Sequence, residues 1–148
     1  MRKIVPPEAG EIMDSRFGKD MIISLATVVN NVPYVRGVNG WYHEGSFYVV
    51  THARSGKMKQ IAENPAVAVA GEWFSGHGRA ESLGPFGSGE NRALAEKLEE
   101  VFSSWIHNGH SNLESPDTII LRIELTDGIL FSMGKRYVLS FPNDETGG

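Results

Sequence analysis

The 148 residues contain no cysteine. That absence removes disulfides, iron–sulfur clusters, thiolate zinc sites and cysteine nucleophiles together, and it fits a reducing compartment, so a cytoplasmic protein is expected. Long apolar runs are missing as well. Nothing approaches the roughly 20 residues of a membrane-spanning helix. The opening Met1-Arg2-Lys3-Ile4-Val5-Pro6-Pro7 has charge but no apolar stretch behind it of the kind a secretory signal needs. Positive charge is not in excess: 14 Lys+Arg face 18 Asp+Glu, a net charge of −4, which argues against a nucleic-acid backbone as partner. Repeats, heptads and low-complexity blocks are absent, as are a nucleophile elbow and a Walker loop. Gly84-x-x-Gly87-x-Gly89 has the wrong order for a dinucleotide fingerprint. The histidines His43, His52, His77, His107 and His110 are scattered, and no metal site is expected from them.

What remains is an ordinary globular composition, 41% hydrophobic and 22% charged, sized for one domain over residues 1–141 with a polar tail over 142–148. Ala9, Ile12, Met13 and Phe17 recur at helical spacing from Pro7, and Gly18 stops that helix. Met21–Val29 reads as a strand, Asn30-Asn31 as a turn and Pro33–Val38 as the returning strand. After a turn at His43–Ser46 comes a strand at Phe47–Thr51. A short helix over Ser55–Glu63 is ended by Asn64-Pro65, and Ala66–Ala70 follows as a strand. Trp73–Leu83 is a fifth strand interrupted at Gly76-His77-Gly78. A strong helix starts at Ser88, carries Leu94, Leu98, Val101, Phe102 and Trp105 on one stripe, and runs to Asn108-Gly109. Thr118–Leu125, a turn at Thr126-Asp127-Gly128, Ile129–Met133 and Tyr137–Phe141 complete the pattern. Six or seven antiparallel strands with three helices outside predict a mainly β fold with some α, a small barrel.

The most informative stretch is Thr51-His52-Ala53-Arg54-Ser55-Gly56-Lys57-Met58-Lys59-Gln60-Ile61. It places Arg54, Lys57 and Lys59 at a helix start, where the macrodipole already carries positive charge and disfavours cations. An anion would resolve the conflict, because helix-start N–H groups, the Thr51 and Ser55 hydroxyls and the Lys57 ammonium can converge on one phosphate. The other reading is a solvated basic turn with Ser55 as a cap. Arg36 sits in an apolar strand on the face opposite Val35 and Gly37. A lone strand arginine usually faces solvent, yet a strand neighbouring Val49-Val50-Thr51 would bring Arg36 to the same phosphate as Lys57. Gly37 would admit a flat ligand close to the backbone, or mark a bulge. Trp41, Trp73 and Trp105 read as core or interface residues.

In order and spacing, Arg36-Gly37-Val38, Gly45-x-Phe47-Tyr48-Val49-Val50-Thr51, Ser55-x-Lys57, Gln60-Ile61 and Asn64-Pro65-x-Val67 resemble the FMN-binding split-barrel family typified by pyridoxamine 5′-phosphate oxidase, over Met21 to Ala80. The resemblance implies a homodimer with FMN between subunits. Arg36, Ser55 and Lys57 would hold the phosphate; Gly37, Val38, Val50 and Thr51 would line the isoalloxazine, and Gln60 would stand nearby on the short helix. Gly56 occupies the place of a second basic residue of the oxidase, which Arg54 would have to replace. The second subunit would contribute from Trp73–Gly78 and from Ser132–Tyr137, with Lys135 or Arg136 as the positive group near flavin N1/O2. His77 is the only histidine on a strand near that groove. The oxidase's Arg-x-His-Asp-Arg-like substrate run has no counterpart, so vitamin B6 oxidation is not implied. The implied activity is reduction of a small electrophile by a reduced nicotinamide through the flavin, with no assigned catalytic residue. The alternatives are a non-catalytic flavin, haem or deazaflavin carrier on the same barrel, or an interaction domain with a solvated basic patch.

Overall fold

Two prolines set the first helix. In the computed structural model, which describes residues 5–109 and 112–141, Pro7 opens helix α1 (Pro7–Phe17), where its missing N–H costs nothing. Glu8 in the first turn and Arg16 in the last complement the helix dipole, and Ala9, Met13 and Phe17 bury one face. The stretch 142–148, read as a polar tail, and His110 lie outside the described residues.

Strand β1 (Met21–Val29) returns through Asn30 and Asn31, both at positive φ, into β2 (Val32–His43). Glu44-Gly45, again at positive φ, turns the chain into β3 (Ser46–His52). Such two-residue left-handed turns match the twist of the strands they join. Helix α2 (Gly56–Glu63) follows, and then β4 (Ala66–Gly71), β5 (Phe74–Pro85), a single 3-10 turn at Gly89–Asn91, α3 (Arg92–Val101), β6 (Thr118–Ser132) and β7 (Lys135–Ser140). No helix among the described residues is long and apolar enough to cross a membrane.

The strand order is β3-β2-β1-β4-β5-β6-β7, and β3 also pairs with β6. Strands β1 to β6 therefore close into a barrel, with β7 as an antiparallel extension of the far half of β6. The expected mainly β architecture with three helices outside is present. Three local expectations fail. Strand β5 is not interrupted at Gly76-His77-Gly78 but runs unbroken from Phe74 to Pro85. Thr126-Asp127-Gly128 is not a chain reversal, because β6 runs unbroken through it. His77 pairs with Asp127 and Gly78 with Leu125, so Thr126 is an extra residue, a bulge. A bulge and a turn share the same local signal, and only the partner strand distinguishes them. Helix α3 also stops at Val101 instead of running to Asn108-Gly109. Ser103-Ser104, whose hydroxyls compete for backbone groups, fall in tighter turns that carry Trp105 to Asp20, where its indole N–H donates at 3.0 Å.

The barrel interior and the inner face of α1 share one core around Phe17, Phe47 and Phe74, whose rings lie 5.7 to 6.4 Å apart. A second core lies under α3, where Ala95, Leu98, Phe102 and Ile106 cover Trp41, Phe86 and Ile120. Phe47 is fully buried and Met133 almost fully exposed. Phe47→Ala is accordingly expected to lower unfolding free energy by about 3–5 kcal/mol and Met133→Ala by no more than about 0.5 kcal/mol, as read from urea denaturation.

Candidate functional site

The barrel is not closed evenly. Between β2 and β3 the pairing covers only Trp41–His43 against Ser46–Tyr48. β1 pairs with β2 from Val32 to Gly40, and β6 pairs with the whole of β3. Beyond Gly40 and Tyr48 the two strands part, so one backbone edge of each is left without a strand partner. Arg36, Gly37 and Val38 lie along the β2 edge, and Val50 and Thr51 along the β3 edge. The next element after β3 is α2, which packs against β1.

The alternation of side chains along β2 then decides who faces what. Arg36 stands opposite Leu25 and so shares its inward face, whereas Val35 and Gly37 point outward. The half-buried Arg36 guanidinium donates to Leu25 O at 3.1 Å, to Thr27 Oγ1 at 3.0 Å and to Gln60 Oε1 at 2.7 Å. Thr27 Oγ1 also donates to Gln60 Oε1 at 2.7 Å. Lys57 Nζ donates to Thr51 Oγ1 at 2.9 Å. Burial first, and then the nearby Arg36 charge, push the Lys57 pKa below its ordinary value; burial alone lowers that of Arg36. Every partner of these two cations is a neutral oxygen, and no carboxylate pairs with either among the described residues.

Ser55 completes the cluster. It is the N-cap residue of α2, yet its side chain makes no capping bond, and its Oγ is buried with no hydrogen-bond partner. A buried orphan hydroxyl costs about 1–3 kcal/mol. Beside it, Gly56 is exposed with open space around its Cβ position, at a helix start whose first N–H groups have no partner within the helix. Two unpaired cations, an orphan hydroxyl and a helix N-terminus are together the donor set that a phosphate dianion requires.

The structure therefore brings together Arg36, Thr51, Ser55, Gly56, Lys57 and Gln60. It separates others. Arg54 turns away and pairs with Asp117 at 3.0 Å, so it does not stand in for a second basic residue, and Lys59 is exposed on the far side of the helix. The Val50 side chain packs into the core under α3, leaving only its backbone on the open edge, while Val38 packs against the barrel core. Thr27, missed in the sequence, was hidden as one hydroxyl in an apolar strand; its single signal is that a buried polar side chain needs a partner. His77 lies on the outer face, where its Nδ1 is 2.9 Å from Asp127 Oδ1.

No family model matches this sequence, and no curated protein matches it significantly. Solved structures match in shape. An FAD-binding protein from Mesorhizobium loti superposes with a TM-score of 0.66 at 18% identity, over 86% of this chain and 94% of that one. A protein of the pyridoxinephosphate oxidase family related to general stress protein 26, from Clostridium acetobutylicum, does so with 0.59 at 16% identity, over 93% and 94%. An F420 reductase does so with 0.57 at 20% identity, over 78% and 94%. The chain has the split-barrel fold that these proteins share.

Two outcomes follow from the unpaired cations. Gln60→Glu supplies the missing carboxylate, so the ligand-free protein is expected to gain about 3 °C in thermal midpoint, the equivalent of about 1 kcal/mol, while affinity for inorganic phosphate falls about tenfold or more in calorimetric titration. The second concerns pH. Because the folded-state pKa of Lys57 lies below the usual 10.5, the unfolded chain holds more protons between those two values, and ligand-free stability rises with pH across that window. Lys57→Met removes this rise; urea midpoints that climb equally in both proteins contradict the assignment.

Proposed function

We propose that this chain is an FMN-dependent oxidoreductase that works as a cytoplasmic homodimer, reducing a small electrophile with electrons from a reduced nicotinamide. The observation that carries the reading is the pair Arg36 and Lys57, half-buried beside the orphan Ser55 hydroxyl, with no counter-ion among the described residues. Arg36 offers a planar fork and Lys57 a point charge, the two kinds of donor that phosphate oxygens accept. Ser55 and the N-terminus of α2 supply neutral donors. The open edges of β2 and β3 run away from this anchor, so a flat ring lying along them meets backbone groups at Gly37, Val38 and Val50.

The outer sheet face supports the dimer. Ile22, Val35 and Val138 are 63%, 69% and 61% exposed, and between them Ser24, Ala26, Ala68 and Ala70 form a floor of small side chains. An apolar sheet face of this kind is self-complementary about a two-fold axis and marks an interaction surface. A second copy seated there would also exclude water from the split. Trp73 and Met133, exposed at turn tips with positive φ, and Lys135 and Arg136 beside them are the groups such a copy has available at the ring.

Bound flavin supplies hydride transfer. The chain's own residues anchor its phosphate (Arg36, Lys57, Ser55), keep the arginine fork oriented in the ligand-free protein (Thr27, Gln60) and present backbone donors along the split. A structurally related F420 reductase favours a second reading, a deazaflavin in the same groove; its phosphate would meet the same donors.

The test is optical. Freshly purified protein should be yellow, and titration should quench free FMN fluorescence at one flavin per chain. Arg36→Ala with Lys57→Ala should weaken binding about 100-fold or more, since two charge-assisted contacts at about 1.5–3 kcal/mol each are removed. A colourless protein that leaves FMN fluorescence unchanged, or a monomer in sedimentation, contradicts the reading.

A further inference from the structure

The bulge at Thr126 places two titratable groups against each other on the outer face. His77 on β5 stands opposite Asp127 on β6, with Nδ1 2.9 Å from Oδ1. An ionised carboxylate only accepts, so Nδ1 carries the hydrogen, and Nε2 is the nitrogen left to exchange a proton with a ligand. The pair is braced from behind. Thr126 Oγ1 donates to His77 O at 3.2 Å and lies 3.3 Å from Asp127 Oδ2. Gly76 and Gly78 let the two strands approach so closely that an added Cβ would fall 2.5 Å from Asp127 O or Glu124 O.

His77 and Asp127 form one wall of a cleft of about 240 Å³, whose other walls are Ser24, Ala26, Val35, Ala68, Ala70 and Ser75. Row by row across the sheet the order is Val35, Ala26, Ala68, His77, Asp127, Ser140. The charged groups on this face nearest the pair are Arg79 and Glu124, one pleat further along. Apart from the Ser24 and Ser75 hydroxyls and the imidazole held by a carboxylate, the walls are apolar and uncharged, an arrangement that suits proton transfer to a small, flat, uncharged molecule. His77 is three strands from β2, about 14 Å at ~4.8 Å per strand, too far to reach a ring lying in its own protomer's split.

We propose that His77, oriented by Asp127, is the proton donor for an electrophile reduced at the flavin of a second copy of this chain. The assignment rests on the flavin reading above. The substrate class is a conjugated electrophile of about one ring, such as a quinone. A bound flavin, reduced by a reduced nicotinamide, would supply the hydride that leaves a quinone as the hydroquinone monoanion. The Nε2–H bond of the imidazolium then breaks, an O–H bond forms on that anion, and the bonding pair stays on the imidazole, which water reprotonates while Asp127 holds Nδ1–H.

Mixed dimers test both the residue and its direction. One chain carries Arg36→Ala and Lys57→Ala with ¹³C-labelled histidine; the other carries His77→Gln unlabelled. Donation across the two-fold leaves one intact site per mixed dimer, so mixing should raise p-benzoquinone reduction far above that of either parent dimer. Independently of turnover, FMN held by the second chain should shift the His77 Hε1 resonance of the first. In the His77→Gln homodimer FMN should bind with unchanged affinity, while kcat falls about 100-fold and its pH profile changes; Asp127→Asn should show the same trend. FMN bound stoichiometrically with no His77 shift, no restoration on mixing, or an unaltered pH profile overturns this assignment alone. Wild-type protein that binds no FMN overturns it together with the flavin reading.

Discussion

Arg36 and Lys57 are held near one another on the inward side of a barrel strand and at the start of a short helix, without a carboxylate for either among the described residues. Partial burial weakens their hydration, and mutual repulsion adds to the cost, so the ligand-free protein carries a local electrostatic penalty. Neutral dipoles from Leu25 O, Thr27, Gln60 and Thr51 offset part of it. A dianion placed here would offset the rest and would also supply a partner for the neighbouring Ser55 hydroxyl, which is buried without one.

The split positions this charge. Strands β2 and β3 pair over three residues at their hairpin and then diverge, because β2 continues along β1 while β3 continues along β6. Both strands therefore expose an edge inside an otherwise closed barrel, where backbone donors and acceptors would normally be hidden. The cations sit beside these edges because α2 leaves directly from the end of β3 and packs against β1. In the flavin reading, the phosphate anchor and the ring groove would consequently be adjacent by chain connectivity, both built on strand edges and a helix start.

The opposite side of the same strands has a different character. Alternation puts Val35 and Gly37 outward where Arg36 is inward, and the sheet beyond them is floored by alanine and serine. Large side chains there would fill the cleft beside His77; small ones leave it open. β6, at 15 residues, serves three neighbours in succession, and its bulge absorbs the change of register while turning His77 and Asp127 toward each other.

Much of this was legible in the chain. The helix at Pro7–Phe17, the hairpin at Asn30-Asn31, the helix stop at Asn64-Pro65 and the β periodicity are set by local sterics and by which side chains need burial. The conflict between Lys57 and its helix dipole is likewise a local fact. Helix α3 reads too long in the sequence because a stripe of apolar residues persists after the backbone has left the helix, and Thr126-Asp127-Gly128 reads as a turn because a bulge looks like one until its partner strand is known.

Counter-ions were beyond reach. Arg54 and Lys57 lie three residues apart and look equivalent, yet Arg54 receives Asp117 from the segment before β6, while Lys57 receives the Thr51 hydroxyl. The sequence by itself determined the strands, the helices and the presence of a basic cluster at the start of α2, because those follow from contacts among near neighbours. Which cations stay unpaired, and that Arg36 joins them from 21 positions away, was decided by strand register alone, since electrostatic pairing depends on distance in space and carries no trace in local periodicity.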